Sequence, residues 1–136
     1  MQLPANLPPR GDLYNKHCPS REMSKHISSL WGLNILRLLK DNQVMRYSGL
    51  KASIGGISDK MLSQTLRNLE RDGIVQRRDY QSTPPKVDYS LTQLGVECAE
   101  KLIPYADFIE DKMNAVFLNQ LKYDESPTVA QWQIVK

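Results

Sequence analysis

Two sets of side chains in this sequence of 136 residues have recognisable chemistry. The first is cationic. Lys60, Gln64, Arg67 and Arg71 recur at steps of three and four with Ser63 beside Gln64, and Arg77, Arg78 and Lys86 follow closely. Guanidinium and ammonium groups neutralise phosphate, while short amides and hydroxyls hydrogen-bond to base edges. The second is Cys18, preceded by Lys16 and His17 and followed by Pro19. A thiol at a helix start is acidified by the helix N-terminus, and a neighbouring cation such as Lys16 adds to the effect. Such a thiolate reacts with oxidants and electrophiles. The plain alternative is a passive thiol beside a helix start.

Other reactive side chains have simpler readings. Cys98 falls on an apolar stripe with Leu94 and Leu102, where a small buried hydrophobe is expected. His17 and His26 lack further ligands at sensible spacing, so no metal site is expected. His17 and Cys18 are adjacent, and adjacent residues rarely hold the geometry of a base and its nucleophile. There is no P-loop, G-x-G-x-x-G, H-E-x-x-H or G-x-S-x-G. No cofactor is expected, and the chain reads as a non-enzyme.

The elements that carry these residues follow from periodicity. Residues 1–16 hold Pro4, Pro8, Pro9 and Gly11 and read as a flexible arm. Pro19 suits the start of a first helix over about 20–28. Leu30 to Lys40 is apolar on nearly every side, as a central core helix requires, with Asp41 and Asn42 ending it and Trp31 in the core or near a dimer interface. Tyr47, Leu50 and Ile54 mark a short third helix, stopped by Gly55-Gly56. Ser58 is a good N-cap and Gly73 a good terminator, which sets a fourth helix over about 58–72. Residues 74–78 and 87–91 read as two strands joined by a turn at 82–85. Thr92 caps a last helix that runs to Leu121 and is bent or divided at Pro104. Residues 122–136, including Trp132, are read as a tail.

Helix, helix, turn, helix and hairpin make a winged helix-turn-helix, mainly α with a small β-hairpin. At about 100° per residue, Leu62, Leu66 and Leu69 of the fourth helix fall within about 60° of one another. Lys60, Ser63, Gln64, Arg67 and Arg71 lie opposite. A charged face is also the ordinary solvated side of an amphipathic helix. Position favours DNA, because this helix follows a glycine turn and precedes a hairpin bearing Arg77, Arg78 and Lys86. Arg46 and Ser58 complete the candidate contacts to double-stranded DNA. The competing reading is a winged-helix module for protein contacts, which would tend to replace these cations by apolar residues.

The charge distribution agrees with DNA binding. Net charge is +3, but residues 46–96 carry eight Lys/Arg against five Asp/Glu, and residues 97–125 carry three against seven. A polyanion is drawn to the middle of the chain. The hydrophobic fraction is 40%, and nothing resembles a membrane-spanning stretch. Met1 to Asp12 lacks the apolar core of a secretory signal, and the expected compartment is the cytoplasm.

The run Ile57-Ser58-Asp59-Lys60-Met61-Leu62, then Leu66-Arg67-Asn68-Leu69-Glu70 and Asp72-Gly73, resembles the HxlR-type winged helix-turn-helix regulators of bacteria, which are MarR-like DNA-binding dimers. So does Tyr80 followed by Pro84-Pro85-Lys86-Val87-Asp88-Tyr89-Ser90-Leu91-Thr92 and Gly95. The resemblance extends from Cys18-Pro19 to about Phe108. It implies a cytoplasmic, homodimeric transcription factor, with residues 20–28 and 93–120 matching the dimer-forming ends. It also implies a sensing role for Cys18, since relatives often carry a cysteine there and some respond to oxidants or electrophiles. An effector, oxidant or small molecule, is the corresponding expectation, and the functional domain is expected over 17–121. The chain departs from the family at Ser28-Ser29-Leu30, where Gly-Gly-Lys is usual. It departs more mildly at Arg46-Tyr47 and Gly55-Gly56, which keep size and turn chemistry.

Overall fold

The structure, a computed structural model, describes residues 2–124. Helix α1 spans Pro19–Ser28, with Cys18 at its N-cap and proline in its first turn. Helix α2 spans Leu30–Asn42, capped by the Ser29 hydroxyl, which accepts from the Gly32 amide at 3.0 Å. It ends at Asn42, as the sequence suggested. Gln43, at φ 64°, then turns the chain.

A short strand, β1 (Val44–Arg46), comes next and was not expected. It leads into α3 (Tyr47–Ser53). Helix α4 spans Asp59–Arg71, and its N-cap is Ser58, whose hydroxyl accepts from the Met61 amide at 3.1 Å. At its other end Gly73 takes φ 76°. The Ile74 amide then donates to the Leu69 carbonyl at 2.9 Å and the Gly73 amide to Glu70 at 3.0 Å. These two bonds are the Schellman closure, which needs the left-handed residue that glycine supplies without strain.

Strands β2 (Val75–Asp79) and β3 (Val87–Leu91) form the hairpin. β1 pairs antiparallel with the other side of β3, so the sheet has three strands in the order β1-β3-β2 rather than two. β1 escaped detection because three residues are too short to show a period.

The core lies under α4. Ile35, Leu36 and Leu39 from α2, Leu50 from α3, Leu62 and Leu69 from α4, and Ile74 and Val75 beside the hairpin are fully buried. Each contributes about 1.5–3 kcal/mol by leaving water. Trp31 is half-buried against this cluster. Buried Thr65 satisfies its hydroxyl by donating to the Met61 carbonyl at 2.6 Å.

Two compact units meet between Leu102 and Ile103. Helix α5 (Gln93–Asp111) passes that junction and continues through Pro104; the helix divides at Lys112, before α6 (Met113–Asp124). The proline forfeits the bond to the Glu100 carbonyl, but Glu100 is exposed and water can replace it. At the α5 start, the Thr92 hydroxyl accepts from the Gly95 amide at 3.0 Å, as a cap should. In the second unit Phe108, Ile109, Val116 and Leu118 are exposed, while Met113, Phe117 and Leu121 are half-buried. Trp132 and the rest of the tail from residue 125 lie outside the described residues.

Candidate nucleic-acid interface

The outer face of α4 is built by its inner face. Leu62, Thr65, Leu66 and Leu69 are buried, so the helical period turns Lys60, Gln64, Arg67 and Arg71 to solvent. The four cover about 16 Å along the axis at 1.5 Å per residue. Arg67 donates from Nη2 to Gln64 Oε1 at 3.2 Å, and Gln64 Nε2 donates to Asn68 Oδ1 at 3.0 Å. This chain fixes which way the Gln64 amide faces. Met61, 40% exposed, stands on the flank of the stripe, an apolar position that the cationic pattern did not single out.

The two N-terminal candidates do other work in this fold. The Ser58 hydroxyl is taken by the cap. Ser63 is half-buried, with its Oγ 3.3 Å from the Tyr47 hydroxyl. Tyr47 donates to Asp59 Oδ1 at 2.8 Å, and Lys51 Nζ approaches the same oxygen at 3.1 Å. The Tyr47 hydrogen bond, then Lys51, hold the Asp59 carboxyl below the usual carboxylate range. α3 is thereby tied to the first turn of α4, as a helix-turn-helix requires.

In the hairpin, alternation separates two neighbouring arginines. Arg77 pairs with Tyr89 and Arg78 with Asp88. Successive strand residues face opposite ways. Arg77 therefore lies on the side of buried Tyr89 and lines a pocket of about 340 Å3 with Tyr47, Ser63, Arg67 and Glu70. Arg78 lies on the other face, its guanidinium carbon 4.6 Å from the centre of the Tyr80 ring, with Lys86 Nζ 4.2 Å from the same centre. Tyr80 donates to Asp88 Oδ2 at 2.8 Å, and this bond, with desolvation, raises the Tyr80 pKa. Arg46 on β1 pairs with Asp88 from the opposite side. The structure thus gathers Arg46, Arg78 and Lys86 around Tyr80 and Asp88, and sets Arg77 beside α4. The sequence did not mark Tyr80 and Asp88 as functional. Their signal, a shared strand face, becomes readable only once the register is fixed.

The sequence profile described as HxlR-like helix-turn-helix matches residues 26–117. The chain belongs to this family. The HTH-type transcriptional regulator YtfH of Escherichia coli (strain K12) is 48% identical over 100 residues, covering 74% of this chain and 79% of YtfH. The solved structure of the regulator ytfH from Salmonella typhimurium matches with a TM-score of 0.77 at 43% identity, over 82% of this chain and 98% of that one. The redox regulator HypR in its oxidized form matches with a TM-score of 0.62 at 31% identity, over 69% and 96%.

In this HxlR-like chain Cys18 is half-buried where the arm folds back on α1. Its sulfur lies 3.0 Å from Ser20 Oγ and accepts from the Asp12 amide at 3.3 Å. The Ser20 hydroxyl, then the Asp12 and Ser20 amides, lower the thiol pKa. Lys16 is not among the causes, and the Asp12 carboxylate opposes them. The acidity expected from sequence is present, but hydrogen bonds rather than the neighbouring cation produce it. Beside Cys18 is a pocket of about 800 Å3 with Leu7, Pro8, Met23 and Asp72 in its walls. Cys98 is buried, and desolvation raises its pKa; both thiols are free. Leu94, expected on the same buried stripe, is exposed. His26 Nδ1 lies 2.6 Å from Asp72 Oδ2, joining α1 to the C-cap of α4. Among the described residues no three His, Cys, Asp or Glu side chains could hold a metal ion.

Proposed function

We propose that the protein is a sequence-specific, DNA-binding transcriptional regulator that works as a homodimer in the cytoplasm. The observation that carries this is the exposed stripe Lys60, Gln64, Arg67 and Arg71 on α4, backed by a fully buried leucine face. Gln64 and Arg67 read base edges, since their amide and guanidinium are linked and face out. Lys60 and Arg71 flank them. Ser58 and Ser63 contribute by fixing the helix, and Arg77 lies close enough to Arg67 to share its groove wall. Arg46, Arg78 and Lys86 hold phosphate. Residues 17–121 form the DNA-binding domain with its dimerising helices at the two ends, with the arm before them and the tail after them. The chemistry is binding, not catalysis.

Selection of bound DNA from a genomic pool tests this reading and yields the half-site. On the selected operator, Arg67→Ala is expected to cost about 1–3 kcal/mol and to relax preference at one base pair. Unchanged affinity and preference would take α4 out of the groove. Failure to select any DNA would favour the protein-contact reading of the fold.

We further propose that Cys18 is the responsive group, with an oxidant or electrophile as effector. Its lowered pKa and the adjoining pocket support this. DNA binding with and without diamide, in the wild type and in Cys18→Ser, is the test. A response lost only in Cys18→Ser supports it; equal responses remove Cys18 from the mechanism.

A further inference from the structure

The hairpin tip contains an aromatic residue that the core does not need. Tyr80 is 37% exposed and lies outside the hydrophobic cluster, yet it is held at three points. Its amide donates to the Lys86 carbonyl at 2.9 Å, its hydroxyl donates to Asp88 Oδ2 at 2.8 Å, and Arg78 and Lys86 both lie over its ring. Asp88 is 7% exposed on the central strand β3, paired with Arg46 on one side and Arg78 on the other. All three strands therefore meet at the residue whose carboxylate anchors the ring.

Long cationic side chains are mobile, and fixing them on a ligand costs conformational freedom. A ring face attracts a cation and restricts it before the ligand arrives. From this we infer that Tyr80 is a positioning residue for the wing: its ring, anchored by Asp88, holds Arg78 and Lys86 ready to grip DNA phosphate. The inference rests on the reading of the hairpin as a DNA-binding wing. Tyr80 itself touches no base in this account.

The test is the salt dependence of operator affinity, because the slope counts neutralised phosphates. Wild type, an Arg78→Ala/Lys86→Ala double variant, Tyr80→Phe and Tyr80→Leu are compared between 50 and 200 mM salt, the window over which several lost contacts give a large change. The double variant should lower the slope by about two, and Tyr80→Leu by about one although both cations remain. Tyr80→Phe keeps the ring and should keep most of the slope. Unchanged melting of Tyr80→Leu would show that the loss is not unfolding. Should Tyr80→Leu fail to fold, Tyr80→Val, which favours strand, takes its place with the same expectation. If the double variant lowers the slope and the ringless variant does not, the positioning role is overturned and the wing reading stands. If the double variant leaves the slope unchanged, the wing reading itself fails.

Discussion

Cys18 and Ser20 form a small acid–base system whose behaviour in solution follows from its hydrogen bonds. A lowered thiol pKa means more thiolate at a given pH, so Cys18 should alkylate faster than an ordinary cysteine near neutral pH. The advantage is largest below the ordinary thiol pKa and disappears above it, where both thiols are ionised. Ser20→Ala removes the largest cause and should slow the reaction severalfold near neutrality while leaving the high-pH rate unchanged. Buried Cys98, pushed the other way, should label only when the chain unfolds. Mass spectrometry of iodoacetamide time courses at several pH values reads all three effects. Sequence alone located the thiol and its acidity, because a helix start was visible at Pro19. It did not locate the Asp12 amide as a donor, because the return of the arm to α1 has no local pattern.

Among the elements, α2 and α4 were legible from an apolar pattern with a stop, and α1 from the proline at its start. Ser58, Gly73 and Thr92 act as the caps their types suggested. The strands were harder. β1 is three residues long, and the separate faces of Arg77 and Arg78 depend on pairing across the sheet. Pro104 does not divide the helix, for a physical reason: an exposed helix tolerates one missing amide where water can take the freed carbonyl. Close approach between elements was equally hidden. A Cβ on Gly95, in the first turn of α5, would collide with the Ile74 carbonyl oxygen, which is backbone and cannot swing aside. Gly95→Ala should therefore destabilise the protein by at least about 2 kcal/mol. Gly55→Ala, with nothing within 4 Å of the added methyl, should stay within about 0.5 kcal/mol. Urea midpoints at unchanged m-value distinguish the two.

The molecule carries more exposed apolar surface than DNA binding alone explains. Phe108, Ile109, Val116 and Leu118 are each about half exposed or more on the helices after Leu102. A two-fold dimer through these helices would cover them and set two recognition helices about 34 Å apart, one turn of DNA. Sedimentation at micromolar concentration should give twice the mass of 15.6 kDa. Phe108→Glu should shift that mass towards the monomer and lower operator affinity, while the melting of residues before 103 changes little. A wild-type monomer would remove this dimer and require two chains to meet only on DNA.

The placement of β1 beside β3 has a consequence for the order of events during synthesis. Strand β1 ends at Arg46, and its partner β3 does not end until Leu91. The whole helix-turn-helix lies inside the chain loop that this pairing closes. Closing a long loop costs entropy before its contacts repay it. The DNA-reading helix can thus be fully emerged from the ribosome while the sheet that braces its neighbourhood still waits for its central strand. A fragment ending at Lys86 holds every candidate DNA contact named above but neither partner pairing of the sheet. It should show little cooperative melting and no operator binding, whereas one ending at Leu102 should melt as a unit.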